Sequence, residues 1–144
     1  MRTAIPPVVL AYGLAGLIPF WAPAVVGLMW PETRDAAGML LAVYAALILS
    51  FLGGARFGRA VQGDPPPPLT ISLSMLPSII GLAVLALPAD ARPAQLVLLA
   101  AALVAHWLWD RRDGGAPPWM ARLRALLTAG AVAGLAAGVV ILGG

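Results

Sequence analysis

Long apolar runs alternate with short clusters of proline and charge along the whole chain. The apolar runs cover about residues 8–30, 36–55, 69–87, 94–109 and 123–142. A helix needs roughly 17–25 residues to cross a bilayer, so four runs are long enough and the fourth is short. In hydrocarbon each backbone N–H and C=O must be bonded within its own segment, and for runs of this kind only a helix achieves that. The pattern therefore predicts an all-α fold: one transmembrane helical domain over residues 1–144, built as a bundle of five spans.

Prolines qualify this picture in the first and third runs. Each proline in a helix interior removes a donor and clashes one turn back. Pro19 and Pro23 predict a kink or break around residues 18–24, and Pro77 predicts another in the third run. Thr70, Ser72, Ser74 and Ser78 surround Pro77; their hydroxyls can satisfy the carbonyl it frees or bond to a neighbouring helix. Arg2 and Ala22-Pro23-Ala24 imitate a leader with its cleavage site. The apolar run continues past that site to Trp30, so the segment reads as a span.

The connections carry their own signals. Thr33 or Asp35 is placed to cap the second helix. Pro65-Pro66-Pro67-Pro68 predicts a stiff, extended link to the third run. Pro93 suits a helix start, and Trp107 and Trp109 at the end of the fourth run suit an interfacial aromatic belt. Residues 110–118 form the most polar stretch, expected as a loop with a turn at Gly114-Gly115. Trp119, Arg122 and Arg124 then belong at the headgroup level before the last span.

Small residues mark expected helix contacts. Gly54 and Gly58 lie four apart, and Gly130, Gly134 and Gly138 recur at the same interval. Both sets place glycines on one helix face, where a second backbone can approach closely.

Composition agrees with the membrane reading. The chain is 61% hydrophobic and 10% charged, with a mean hydropathy of +0.93. Its nine basic residues, all arginine, exceed six acidic ones, but they cluster at the ends of apolar runs, which is a topology signal and not a nucleic-acid footprint. Arg2, Arg56, Arg59, Arg111, Arg112, Arg122 and Arg124 fall on the side of the N-terminus, whereas Arg34 and Arg92 fall on the other. The positive-inside rule thus predicts an N-in, C-out orientation. With no cysteine in the chain, disulfides, thiolate zinc sites and cysteine-ligated clusters are excluded.

Candidate chemistry is sparse. No phosphate-binding loop, H-E-x-x-H zinc motif or G-x-S-x-G elbow occurs. The acidic residues all fall in expected connections, leaving no carboxylate near the bilayer midplane for a proton relay. His106 is the only histidine, so haem or metal ligation would need a partner's ligands, and no cofactor or metal is expected. What remains is a candidate polar cluster of Arg56, Arg59, His106 and Asp110 at the N-terminal-side interface. Arg56 needs a counter-charge there. Asp64, Asp110 and Asp113 are the candidates, with Asp110 favoured because it closes the fourth run, and lipid phosphate competes.

Tyr44, Ser50-Phe51-Leu52-Gly53-Gly54 and Phe57-Gly58 resemble the domain-of-unknown-function 3429 family. Further similarity lies in Tyr12-Gly13, Gly16-Leu17-Ile18-Pro19-Phe20, Leu76-Pro77-Ser78 and the segment from Trp119 to Thr128. The order of these motifs along several spans carries the resemblance. It implies a small multi-pass membrane protein, bacterial or mitochondrial, and conveys no reaction; the bacterial inner membrane is the expected location. The leading functional expectation is a non-enzymatic accessory or assembly component of a membrane complex. A small transporter or lipid-handling protein is the alternative, and an intramembrane enzyme built on Arg56, His106 and Asp110 the third. Expected partners are the bilayer with its anionic headgroups, a membrane-protein partner or a second copy, and no nucleic acid.

Overall fold

The computed structural model of the chain describes residues 4–113 and 115–143. Arg2, counted in the charge asymmetry, and Gly114, half of the expected turn, lie outside the described residues. Among the described residues the regular elements are all helical. They are α1 (Pro7–Ala15), α2 (Ile18–Met29), α3 (Arg34–Ala60), α4 (Pro68–Ser74), α5 (Leu76–Leu85), α6 (Arg92–Arg112) and α7 (Pro118–Leu142). Short 3-10 turns at Pro31–Thr33 and Ala89–Ala91 lead into α3 and α6. Five stretches are long and apolar enough to cross a membrane: Pro7–Met29, Pro31–Ala60, Pro68–Leu85, Ala89–Arg112 and Pro118–Leu142. The protein is a polytopic bundle of five transmembrane helices, and two of the five are broken.

The longest helix, α3, is the axis of the bundle and packs against α2, α5 and α6. Leu41, Ala45 and Leu49 recur every fourth residue on its buried face and, with Leu96, Leu99 and Leu135, make the centre of the core. The alanines keep the neighbouring helices close, and the leucines fill the space between them. At 27 residues, α3 is about 40 Å long, against about 30 Å of hydrocarbon. Arg56 and Arg59 lie near its C-terminal end.

Both breaks fall just ahead of a proline. In the first span the helix stops after Ala15 and restarts at Ile18, with Pro19 in the first turn of α2. The Gly16 carbonyl, left without a helical partner, accepts from the Tyr44 hydroxyl at 2.7 Å. Pro23 lies inside α2 without ending it, so the interruption sits one turn earlier than the midpoint of the expected region. In the third span α4 ends at Ser74 and α5 begins at Leu76, with Pro77 in its first turn. Ser72 and Ser74 donate to the Pro68 and Ile71 carbonyls, and Ser78 shares a 2.7 Å hydrogen bond with Ser50 of α3.

Several local expectations are corrected. Neither Thr33 nor Asp35 caps α3; the Thr33 hydroxyl donates to the Trp30 carbonyl at 2.7 Å, closing the preceding turn instead. The fourth span is not short, because α6 runs on through Asp110, Arg111 and Arg112. Arginines in a last turn face the negative end of the helix dipole, which favours helix where a loop was expected.

The glycines separate into two groups. A Cβ at Gly134 would lie 2.7 Å from the Phe20 carbonyl oxygen, one at Gly130 2.7 Å from Leu17, and one at Gly138 2.5 Å from Leu41. This face of α7 therefore receives α2 and α3. Gly54 and Gly58, by contrast, have nothing within 4 Å of a Cβ, so no described part of the chain packs there. The close approach occurs at their neighbour Gly53, whose Cβ would stand 2.7 Å from the Ser74 carbonyl and 3.1 Å from Pro77. Gly53 lets the broken backbone of the third span lie against α3.

Candidate functional site at the arginine-rich end

Where α3 and α6 end and α7 begins, their polar residues converge. The connection between α6 and α7 is short, so the last turn of α6 must lie beside the first turns of α7. Asp110 is thereby placed between two arginines. Arg56 Nη1 donates to Asp110 Oδ1 at 2.7 Å, while Arg124 donates to Asp110 Oδ2 through Nε at 3.2 Å and Nη2 at 2.9 Å. Arg56 Nη2 also lies 2.5 Å from Asp113 Oδ2, an ion contact without hydrogen-bond alignment. One carboxylate thus joins three helices.

Arg56 is only 2% exposed. Burial of a guanidinium is costly unless it is paired, and here two carboxylates and an aromatic face surround it. Its Cζ stands 3.8 Å from the centre of the Trp109 ring, where the ring's negative face attracts a cation. Nε still lacks a partner. Arg111, farther out, lies over Trp107 at 5.1 Å, and the buried Trp107 Nε1 is likewise without a partner.

His106 does not belong to this ion-pair network. It is buried and tilts against Trp109 with ring centres 5.5 Å apart, but Asp110 is held by Arg56 and Arg124, and His106 Nδ1 is unpartnered. The expected convergence of His106 with Asp110 and Arg56 therefore gives no His–Asp pair. Among the described residues, no three His, Cys, Asp or Glu side chains lie close enough to hold a metal ion.

Beside the network is a cavity of about 730 Å³, within the roughly 300–1,000 Å³ usual for small-molecule sites. Arg56, Arg59, Arg111 and Arg124 line it together with Asp110 and Asp113, a formal balance of two positive charges. Trp107, Trp119 and Phe51 supply aromatic wall. An apolar groove of about 450 Å³ adjoins it between α1, α3 and α7. Val9, Phe51, Leu52, Leu123 and Arg124 border both. On one side the groove is walled by α1, a helix without a single buried residue.

Of the candidate residues, Arg56, Arg59 and Asp110 meet at this cavity and His106 stands behind it. Arg124 and Arg111 were not singled out as site residues in the sequence. For Arg124 the available signal was the hairpin: an acidic residue ending α6 and an arginine early in α7 must face each other across a short connection.

The model of the family described as "Protein of unknown function (DUF3429)" matches residues 5–140. The chain belongs to this family. Transmembrane protein 69 of Xenopus tropicalis is a relative, 36% identical over 135 residues that cover 88% of this chain and 51% of the relative. The chain thus spans about half the length of that curated relative. No solved structure matches it. DUF3429 membership establishes a small integral membrane protein and assigns it no reaction, so the functional reading rests on the cavity.

Proposed function

We propose that this DUF3429 protein is a non-enzymatic accessory protein of the bacterial inner membrane that holds an amphiphilic molecule at its arginine-rich end. One observation carries the reading: a charged, aromatic-walled cavity adjoins an apolar groove with which it shares lining residues. A polar head and an apolar tail are the ligand such a joined pair fits. Lipid handling, the alternative in the sequence reading, thereby moves ahead of transport, for which no carboxylate is available at mid-depth.

By the arginine asymmetry the cavity faces the cytoplasm. A reporter fused after Gly144 is expected outside the cytoplasm and one inserted beside Gly115 inside it. Both reporters on one side would reject the orientation.

Native mass spectrometry of the full chain in mild detergent tests the ligand reading. The expected spectrum shows one adduct of phospholipid mass per chain, and Ala55→Trp, which adds bulk to the cavity wall, removes most of it. Equal adducts on the two proteins would contradict the proposal. A second reading, assembly with a membrane-protein partner or a second copy, is favoured by the open face at Gly54 and Gly58, since small residues facing lipid are where a further helix could pack. A protein-sized adduct lost in Gly54→Leu would select it.

A further inference from the structure

We infer that the molecule held at the arginine-rich end is an anionic glycerophospholipid, with its phosphate against Arg59 and Arg111 and one acyl chain in the groove between α1, α3 and α7. This rests on the amphiphile reading above and names the ligand's class.

The charges select the headgroup. Of the four arginines on the cavity wall, Arg56 is held by Asp110 and Asp113, and Arg124 by Asp110. Arg59 and Arg111 have no carboxylate within ion-pair distance among the described residues, so the positive balance of the wall resides on them. An anion without a cationic tail offsets part of it, whereas a zwitterionic headgroup brings a quaternary or primary ammonium into a site that already has surplus positive charge. The buried donors Arg56 Nε and Trp107 Nε1 are unpartnered on residues lining the same cavity. A ligand rich in phosphate and ester oxygens offers the acceptors they lack.

Depth selects a lipid over a soluble phosphate. On α3 the cavity and groove together extend from Ile48 to Ala60, which is about 18 Å of helix. Half of a hydrocarbon core about 30 Å thick is nearly the same length. The site therefore has the depth of one leaflet, with its guanidiniums at the headgroup level and Ile48, Leu103 and Leu127 where a tail would run. A free phosphate would leave this lower half empty.

The test gives the delipidated full chain in mild detergent equal amounts of phosphatidylglycerol and phosphatidylcholine and reads the ratio of the two adducts by native mass spectrometry. The wild-type chain is expected to prefer phosphatidylglycerol. Arg59→Gln with Arg111→Gln should lower that preference about fivefold per arginine removed, whereas Arg59→Lys with Arg111→Lys, which keeps the charge, should retain most of it. Arg112→Gln with Arg122→Gln removes the same charge away from the cavity wall and should leave the ratio unchanged. An equal fall in both Gln pairs would mean diffuse surface attraction and overturn the site. Equal retention of the two lipids by the wild type would overturn anion selection while leaving the amphiphile reading intact. Retention of neither lipid would end both. Displacement of phosphatidylglycerol by millimolar glycerol phosphate would show that the head alone is recognised and overturn the role of the groove.

Discussion

Gly134→Leu is expected to destabilise the bundle by about 3 kcal/mol, the cost of forcing a large side chain into a filled interface. The clash is with backbone. A Cβ at Gly134 would stand 2.7 Å from the Phe20 oxygen and 3.0 Å from its carbonyl carbon, neither of which can rotate away. Relief requires α2 to move off α7, and that would loosen Phe20, which is 2% exposed and packs edge-on against Tyr44. At Gly130 the nearest atoms belong to the Leu17 side chain, which can change rotamer, so Gly130→Leu should cost less. Gly54→Leu adds a side chain where nothing lies within 4 Å and should change the stability of the isolated chain by no more than about 0.5 kcal/mol. Unfolding of the three variants in detergent, followed by circular dichroism, gives the order. Equal stability of Gly134→Leu and Gly54→Leu would mean that α2 does not press on α7 at Phe20.

The two sets of glycines also show what could be read from the sequence. Five spans, the prolines that interrupt the first and third, and the glycine face of α7 follow from hydropathy, proline chemistry and helical spacing. Which glycine of the Gly53-Gly54 pair faces inward does not follow. Adjacent helix residues point about 100° apart, and the phase of α3 is set by Leu41, Ala45 and Leu49 on its buried face, a register that Gly53 continues and Gly54 does not. The end of α6 was hidden for a different reason. Asp110, Arg111 and Arg112 read as loop in a hydropathy pattern, yet they remain helical, with Asp110 bonded to Arg56 and Arg124 on two other helices. Pairing of Arg56 with Asp110 could be expected from the need of a sheltered guanidinium for a carboxylate. Sharing of that carboxylate with Arg124 is tertiary information.

The shared carboxylate makes Asp110 the costlier member of the network to neutralise. Asp110→Asn leaves Arg124 without its counter-charge and Arg56 with Asp113 alone, and Asp113 is 54% exposed at the side chain. Arg56→Gln removes the buried charge itself and leaves Asp110 still bonded to Arg124. Breaking a fully buried pair costs about 3–5 kcal/mol. Because the Asp110 side chain is 20% exposed, solvent screening reduces that figure, and about 3 kcal/mol is expected for Asp110→Asn against about 2 kcal/mol for Arg56→Gln. Each loss should also open the cavity, since Arg56, Asp110 and Arg124 line its wall.

Arg56 and Asp110, bonded at 2.7 Å, act as one unit that builds the arginine-rich end. A double-mutant cycle on Arg56→Gln and Asp110→Asn, read as unfolding free energy of the full chain in detergent, measures that unit directly. A coupling of about 2 kcal/mol, with the double variant no less stable than Asp110→Asn alone, is the predicted result. Additive losses with coupling near zero would contradict it, leaving Arg56 as a topology signal and the cavity without its organising pair.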